Sequence, residues 1–306
     1  MKITKTFSRI YRKNSMWGNL ILGILLVIVL RCLYTRMKPS REGFLHTDRY
    51  VFKQGPDVFD DFYANYYDSL VFNYPKNIYE IGEIITLSNL SERSKVLDIG
   101  AGTGHHVAAL AEHNIPVIGL DSSQAMINYA KSTYPSLNFK LGNALDANIY
   151  PGNAFTHILC LQYTLYYMKN KRKFFENCMK WLVPGGYLVV HLVDKKNFNP
   201  IMFNGSIDLK RSKPGSKHTK GIMEMRDYTY TSDFLQDDNE PDTFYIKEKF
   251  TDKGDNVREN QHILYMNTQK HILGVAKQEG FILLGQIDMS PIQYDYQYLY
   301  ILQKPN

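Results

Sequence analysis

Cysteine is scarce. The chain has three in 306 residues, Cys32, Cys160 and Cys178, too few and too scattered for a disulfide framework. Cys160 falls in an apolar, strand-like run and Cys178 on an amphipathic helix, so both read as reduced, buried thiols. Metal-ligand spacing is missing as well. The nine histidines are scattered and His105-His106 is adjacent rather than spaced, so no zinc site or other metal is expected. A broad basic footprint is also lacking. The formal net charge is +6, but residues 1–49 carry ten Lys/Arg against two acids, so the other 257 residues sum to −2. A near-neutral main body argues against a large polyanionic partner, and nucleic acid is not favoured. Lys210, Arg211, Lys213, Lys217 and Lys220, beside Pro214 and Gly215, are the local exception. They read as a solvated insertion, with a lipid-headgroup or nucleic-acid contact as the alternative.

What is present is a glycine loop between two carboxylates. Residues 96–104 read Val-Leu-Asp-Ile-Gly-Ala-Gly-Thr-Gly, followed by Val117-Ile118-Gly119-Leu120-Asp121. Val96, Leu97 and Ile99 make the short apolar run of a doubly covered parallel strand. Gly100, Gly102 and Gly104 allow a sharp turn and close approach of backbone to a ligand. The helix that follows offers unpaired N–H groups at its start. Asp121 ends the next strand where, in such βαβ units, an acid takes both ribose hydroxyls. A dinucleotide site requires G-x-G-x-x-G, and here His105 stands where the third glycine belongs. Asp98 would repel a pyrophosphate but attract an ammonium group. These features point to S-adenosylmethionine, which carries an amine and a sulfonium and no phosphate.

The pattern Asp98-x-Gly100-x-Gly102-x-Gly104 resembles motif I of the class I, seven-stranded S-adenosylmethionine-dependent methyltransferases. Further similarities follow in order. Asp121-Ser122-Ser123-Gln124-Ala125-Met126-Ile127 is similar to the second motif. Leu141-Gly142-Asn143-Ala144 resembles the third-strand end, with Asn143 for the usual Asp. Phe155 to Leu161 resembles the fourth strand, with Thr156 for Asp. Trp181 to Val190, containing Pro184-Gly185-Gly186, is similar to the turn into strand five. Tyr63-Ala64-Asn65-Tyr66-Tyr67-Asp68 is similar to the family's lid, whose tyrosine aligns with Tyr67. The resemblance implies cofactor contacts from Tyr67, Asp98, Gly100, Ala101, Gly102, Thr103, Gly104, Asp121, Ser122, Met126, Asn143, Ala144, Leu161 and Gln162. Tyr67 and Tyr166 are the implied catalytic, orienting residues, because a phenol with a pKa of about 10 polarises more readily than it deprotonates. The fold implied is α/β, a three-layer, doubly wound, mostly parallel seven-stranded sheet of order 3-2-1-4-5-7-6. An inserted β-hairpin is expected to roof the pocket over 195–260.

At the amino terminus, Leu20 to Leu30 is unbroken and apolar but shorter than the ~20 residues of a spanning helix. Trp17 and Tyr34 as interfacial anchors, with Arg31 snorkelling, extend it to a tilted crossing over 16–34. A cleaved signal peptide would need small residues after the run, and 31–36 offers none. The expected organisation is therefore a basic segment (1–15), a transmembrane anchor in membrane lipid (16–34), a linker (35–56) and the catalytic domain (57–306). Basic residues flank the span almost equally, so orientation rests on cofactor supply: a single-pass membrane protein with its catalytic domain in the cytosol. The expected function is methyl transfer to a small molecule, lipid headgroup or peptide. RNA or protein methylation and a non-catalytic, cofactor-binding tether are the alternatives.

Overall fold

The computed structural model describes residues 22–27, 30, 49–198 and 218–306. The chain divides into two units, 1–45 and 46–306, and both sheets lie in the second.

The larger sheet has seven strands in the order β11 (Ile282–Asp288), β12 (Gln297–Gln303), β6 (Leu182–Val193), β5 (Phe155–Cys160), β2 (Val96–Ile99), β3 (Val117–Asp121) and β4 (Asn138–Leu141). From β6 to β4 the pairs are parallel, and β12 is antiparallel to both β6 and β11. Counted along the chain from β2, that order is 3-2-1-4-5-7-6.

Strand alternation assigns the two covering layers. Leu97, Ile99, Ile158, Cys160, Leu188 and Val190 share a cluster with α6 (Lys171–Trp181) and α7 (Gln269–Gln278). Val96, Leu159, Leu161, Val189, Leu299 and Ile301 share the other with α2 (Tyr74–Leu87), α3 (His105–Glu112) and α4 (Gln124–Thr133). Successive residues of one strand thus serve opposite faces, which is why apolar residues stand side by side at Val96-Leu97 in β2 and Ile158-Leu159-Cys160 in β5. Each helix starts where its sequence says it should. Asn73, Ser123, Asn170 and Thr268 cap α2, α4, α6 and α7 by accepting a backbone N–H.

Four strands between β6 and α7 join β1 (Tyr50–Gln54), from the start of the second unit, in a second sheet. Its order is β1, β10 (Val257–Tyr265), β9 (Thr243–Asp252), β8 (Tyr228–Gln236) and β7 (His218–Glu224). All pairs are antiparallel except β1 with β10. The expected hairpin lid over 195–260 is corrected on this point. The insertion is a larger sheet, and it recruits β1 from residues expected to be linker.

The expected membrane anchor is also corrected. Among the described residues no helix is long and apolar enough to cross a membrane. Within 16–34, residues 22–27 and Leu30 are described as helical. The rest of the expected span, and the basic loop 210–217, lie outside the described residues. The single-pass membrane localisation and the membrane-lipid partner fall with the anchor.

Candidate functional site

Where β2, β3 and β4 end, the chain forms one wall of a cavity of about 530 Å³. Gly100, Gly102 and Gly104 have φ of 75°, 54° and 94°, a region that side chains with a Cβ rarely adopt. The turn is held by Gly100 N–H and Ala101 N–H, both donating to Leu120 O at 2.7 and 3.1 Å. Gly104 opens α3 with no side-chain cap, so the first-turn N–H groups have no side-chain acceptor. Asp121 is fixed by two backbone donors, Gly102 N–H to Oδ2 at 2.9 Å and Ser123 N–H to Oδ1 at 2.8 Å. Burial raises its pKa, and the hydrogen bonds from Ser123, Gly102 and Ser122 oppose that rise.

Asp98 lies behind this wall, 1 % exposed, and its Oδ2 has no hydrogen-bond partner. Burial pushes its carboxyl up to about 6, with Asp121 and Glu80 adding to the rise and His106 opposing it. Behind it runs a buried chain from α2. Lys76 Nζ donates to Glu80 at 2.6 Å, and His106 Nε2 lies 3.0 Å from the other Glu80 oxygen. An orphaned buried carboxylate oxygen beside a glycine cradle fits a ligand that brings both a cation and a donor. The amine of S-adenosylmethionine is such a group, and the two Asp121 oxygens retain lone pairs for a ribose.

A lid closes this end. Helix α1 (Asp61–Val71) is capped by Asp60, which accepts Tyr63 N–H at 3.1 Å. Its Tyr67 ring would meet a Cβ at Gly102 at 3.7 Å, so the ring lies over the loop. Thr103 Oγ1 donates to Asp68 Oδ1 at 2.6 Å, pinning the helix to the loop. Burial, then the charge of Asp121, drives the Tyr67 phenol well above its ordinary range.

The far end is built by the five-stranded sheet, whose buried side carries a polar cluster among its aromatic residues. Glu248 on β9 accepts from Tyr230 Oη (2.6 Å), Tyr63 Oη (3.0 Å) and Asn260 Nδ2 (3.0 Å), and His262 Nε2 lies 2.9 Å from its Oε2. Burial alone would raise the carboxyl, but His262 foremost, then Tyr230 and Asn260, hold it below the ordinary value. The other ring nitrogen, His262 Nδ1, is 3.1 Å from Tyr167 Oη. Tyr167, His262 and Glu248 all line the cavity. The result is a hydrogen-bonded line from the cavity through a phenol and an imidazole to a buried carboxylate.

Of the residues expected at the site, Tyr67, Gly100, Gly102, Asp121, Ser122, Met126, Asn143, Ala144 and Gln162 line the cavity together. Asp98, Ala101, Thr103, Gly104 and Leu161 stand behind the wall. Asn143 Oδ1 already accepts Leu145 N–H at 2.9 Å, which leaves it one lone pair. Gln162 adopts φ of 51°, unusual outside glycine, directly after β5. Tyr166 is placed elsewhere. It is fully buried in the core, its Oη accepts Val193 N–H at 2.9 Å, and it does not line the cavity. Tyr167, its neighbour on the single-turn helix α5 (Thr164–Tyr167), takes the cavity position instead. Glu248, His262 and Tyr230 were missed. Their signal is Arg258, Asn260 and His262 at alternate positions, a polar face on a strand. Among the described residues no cluster of three or more His, Cys, Asp or Glu is arranged to hold a metal ion.

Residues 96–186 match the family described as a methyltransferase domain. The chain is 32% identical over 116 residues to the dTDP-4-amino-2,3,4,6-tetradeoxy-D-glucose N,N-dimethyltransferase of Saccharopolyspora spinosa, covering 36% of this chain and 46% of that one. It is 28% identical over 155 residues to the phosphoethanolamine N-methyltransferase of Plasmodium falciparum, covering 49% and 56%. The chain therefore spans about half the length of these curated relatives. In fold it is similar to the CcbJ methyltransferase of Streptomyces caelestis, with TM-score 0.63 and 17% identity over 81% of this chain and 98% of that one.

Proposed function

We propose that the chain is a class I S-adenosylmethionine-dependent methyltransferase, on the methyltransferase-domain match over residues 96–186 and the shared fold, and that it methylates a small-molecule acceptor held beneath the five-stranded sheet. The observation that carries this reading is one cavity with two chemically different ends. The glycine loop and Asp121 form the first, with the orphaned Asp98 oxygen directly behind it; the Tyr167–His262–Glu248 line forms the second. In this reading Asp121 takes the ribose hydroxyls and Asp98 the amine. Met126, Asn143 and Ala144 border the adenine, and Tyr67 covers the sulfonium side. The cofactor supplies an already activated methyl group, so the protein's share is alignment of a nucleophile and exclusion of water. An acceptor of small size is favoured because the roof leaves a volume suited to small ligands rather than an open groove for a polymer. The named activities of the two relatives make nitrogen the acceptor to test first.

Calorimetric titration of the chain with S-adenosylmethionine and with S-adenosylhomocysteine tests the first half. Asp121→Ala is expected to weaken binding 10- to 100-fold, about 1.5–3 kcal/mol for lost hydrogen bonds to a charged acceptor. Incubation with methyl-labelled cofactor and cell extract, separated into small-molecule, lipid, protein and RNA pools, tests the second. Label is expected in the small-molecule pool. Unchanged affinity in Asp121→Ala, or label confined to RNA or protein, overturns the reading.

A further inference from the structure

The far end of the cavity holds a polar line that cofactor binding does not use, and its charge is lopsided. Glu248 is on the wall there, and among the described residues lining the whole cavity Lys169, exposed at the rim and 5.6 Å from the Tyr265 ring, is the one lysine or arginine. Aromatic rings stand beside Glu248 and His262, among them Phe59, Tyr63 and Tyr230. Buried negative charge behind aromatic faces attracts an ammonium group and its methylated forms. Among the described residues, a phosphate or carboxylate on the acceptor would meet the like charge of Glu248 and no guanidinium fork to receive it.

From this, and resting on the methyl-transfer reading above, we propose that the acceptor is a small amine free of phosphate, and that Tyr167 passes its proton to His262, backed by Glu248. The geometry fixes the tautomer. Glu248 accepts from Tyr63, Tyr230 and Asn260 and has only acceptors to offer His262, so Nε2 carries the hydrogen and Nδ1 accepts from Tyr167 Oη. The Tyr167 oxygen then keeps lone pairs for the acceptor's N–H. As the acceptor ammonium gives its proton to the Tyr167 oxygen, the phenol hydrogen moves to His262 Nδ1. The freed nitrogen lone pair forms the bond to the methyl carbon. The carbon–sulfur bond breaks with its electron pair on sulfur, leaving neutral S-adenosylhomocysteine and an N-methylammonium product. Protonated His262 is held by Glu248 until its proton leaves to water. The titratable groups around His262 are Glu248, Tyr63, Tyr167 and, through Glu248, Tyr230. Arg258 lies one step further, paired with Asp60. Glu248 is the nearest charge.

The test uses the full chain and two matched pairs, ethanolamine with phosphoethanolamine and glucosamine with glucosamine 6-phosphate. Each is titrated in the presence of S-adenosylhomocysteine and assayed with labelled S-adenosylmethionine. In both pairs the phosphate-free amine is expected to bind at least 10-fold more tightly and to be methylated faster. His262→Gln is expected to lower kcat at neutral pH at least 100-fold while leaving S-adenosylmethionine affinity unchanged, which also reports that the fold is intact. Its rate should recover as pH rises toward the amine's own pKa, about 10 for an alkylamine. Tyr167→Phe should show the same recovery from a smaller loss. Preference for the phosphorylated member, no binding by any amine of the panel, or a loss in His262→Gln that is equal at every pH overturns the proposal. Failure of the wild-type chain to bind S-adenosylmethionine would instead sink the reading on which it rests.

Discussion

Asp98 is a costly residue for an empty fold. Its carboxyl stands at about 6 against an ordinary 3.8, so between those values the folded chain holds a proton that the unfolded chain has released. Stability of the ligand-free chain therefore falls as pH rises through that window, by an amount on the order of 2–3 kcal/mol from this group. Asp98→Asn removes the titration while keeping the shape. Compared with wild type in urea unfolding, the variant should show no advantage below about pH 4 and a growing one up to pH 6, level thereafter. Saturating S-adenosylmethionine should reverse the order at pH 7, because the wild-type carboxylate then has its partner. An advantage independent of pH would mean that Asp98 does not titrate in the folded chain. Sequence alone puts both Asp98 and Asp121 at strand ends; in the structure Asp121 closes β3 on the cavity wall, whereas Asp98 lies one residue inside the end of β2 and behind that wall. It names Tyr166, whereas the structure puts Tyr167 on the cavity wall. On one helical turn adjacent residues point about 100° apart, and nothing local says which of two identical side chains faces inward.

The elements differ in how far they announce themselves. Strands β2, β3 and β5 read plainly, since burial on both faces sets apolar residues side by side, as at Val96-Leu97, Val117-Ile118 and Ile158-Leu159-Cys160. The roof does not. Along β10 the buried positions are Arg258, Asn260, His262 and Leu264, so three of the four inward residues are polar and hydrophobic alternation points to the wrong face. That inversion is the mark of a strand serving a site rather than a core. Arg258 also ties the roof to the lid. It donates to both Asp60 oxygens at 2.9 and 3.0 Å, to Val58 O and to Asn260, and stacks over Phe62 at 4.5 Å. Because Asp60 caps α1, one guanidinium sets both the start of the lid helix and its distance from β10. Arg258→Ala should cost about 2–3 kcal/mol in urea unfolding, discounted for the partial exposure of Asp60. Amide exchange should speed up in α1 more than in β2. Arg258→Lys keeps the charge but not the fork and should fall between. Uniform exchange through both elements would mean the pair stabilises the fold without positioning the lid.

At the scale of the molecule, the place where the catalytic unit begins becomes a physical question. Reading the sequence for helices starts it at residue 57, because the aromatic stripe of α1 is the first strong periodicity. The structure sets β1 before that point. Tyr50–Gln54 pairs in parallel with Val257–Gln261, Val257 N–H donates to Arg49 O at 2.8 Å, and Tyr50 Oη donates to Glu259 at 2.8 Å. Gly55 and Pro56, next in line, are on the cavity wall. The unit bounded by contacts begins at His46. A fragment 46–306 and a fragment 57–306 should therefore differ although the shorter retains every glycine-loop residue and Asp121. Removing β1 leaves the β10 edge with unpaired N–H and C=O groups, a template for association with another chain. It also takes away the strand against which His262's own strand is registered. The shorter fragment should unfold at lower urea, by about 1–3 kcal/mol for a lost edge strand, and should self-associate with rising concentration in sedimentation. Its affinity for S-adenosylmethionine should fall less than its affinity for the amine acceptor, since the cofactor end is built by β2, β3 and β4 and the acceptor end by the sheet that β1 borders. Equal urea midpoints for the two fragments would show that β1 is an ornament of the roof; equal loss at both ends would show that the roof and the cofactor wall unfold as one.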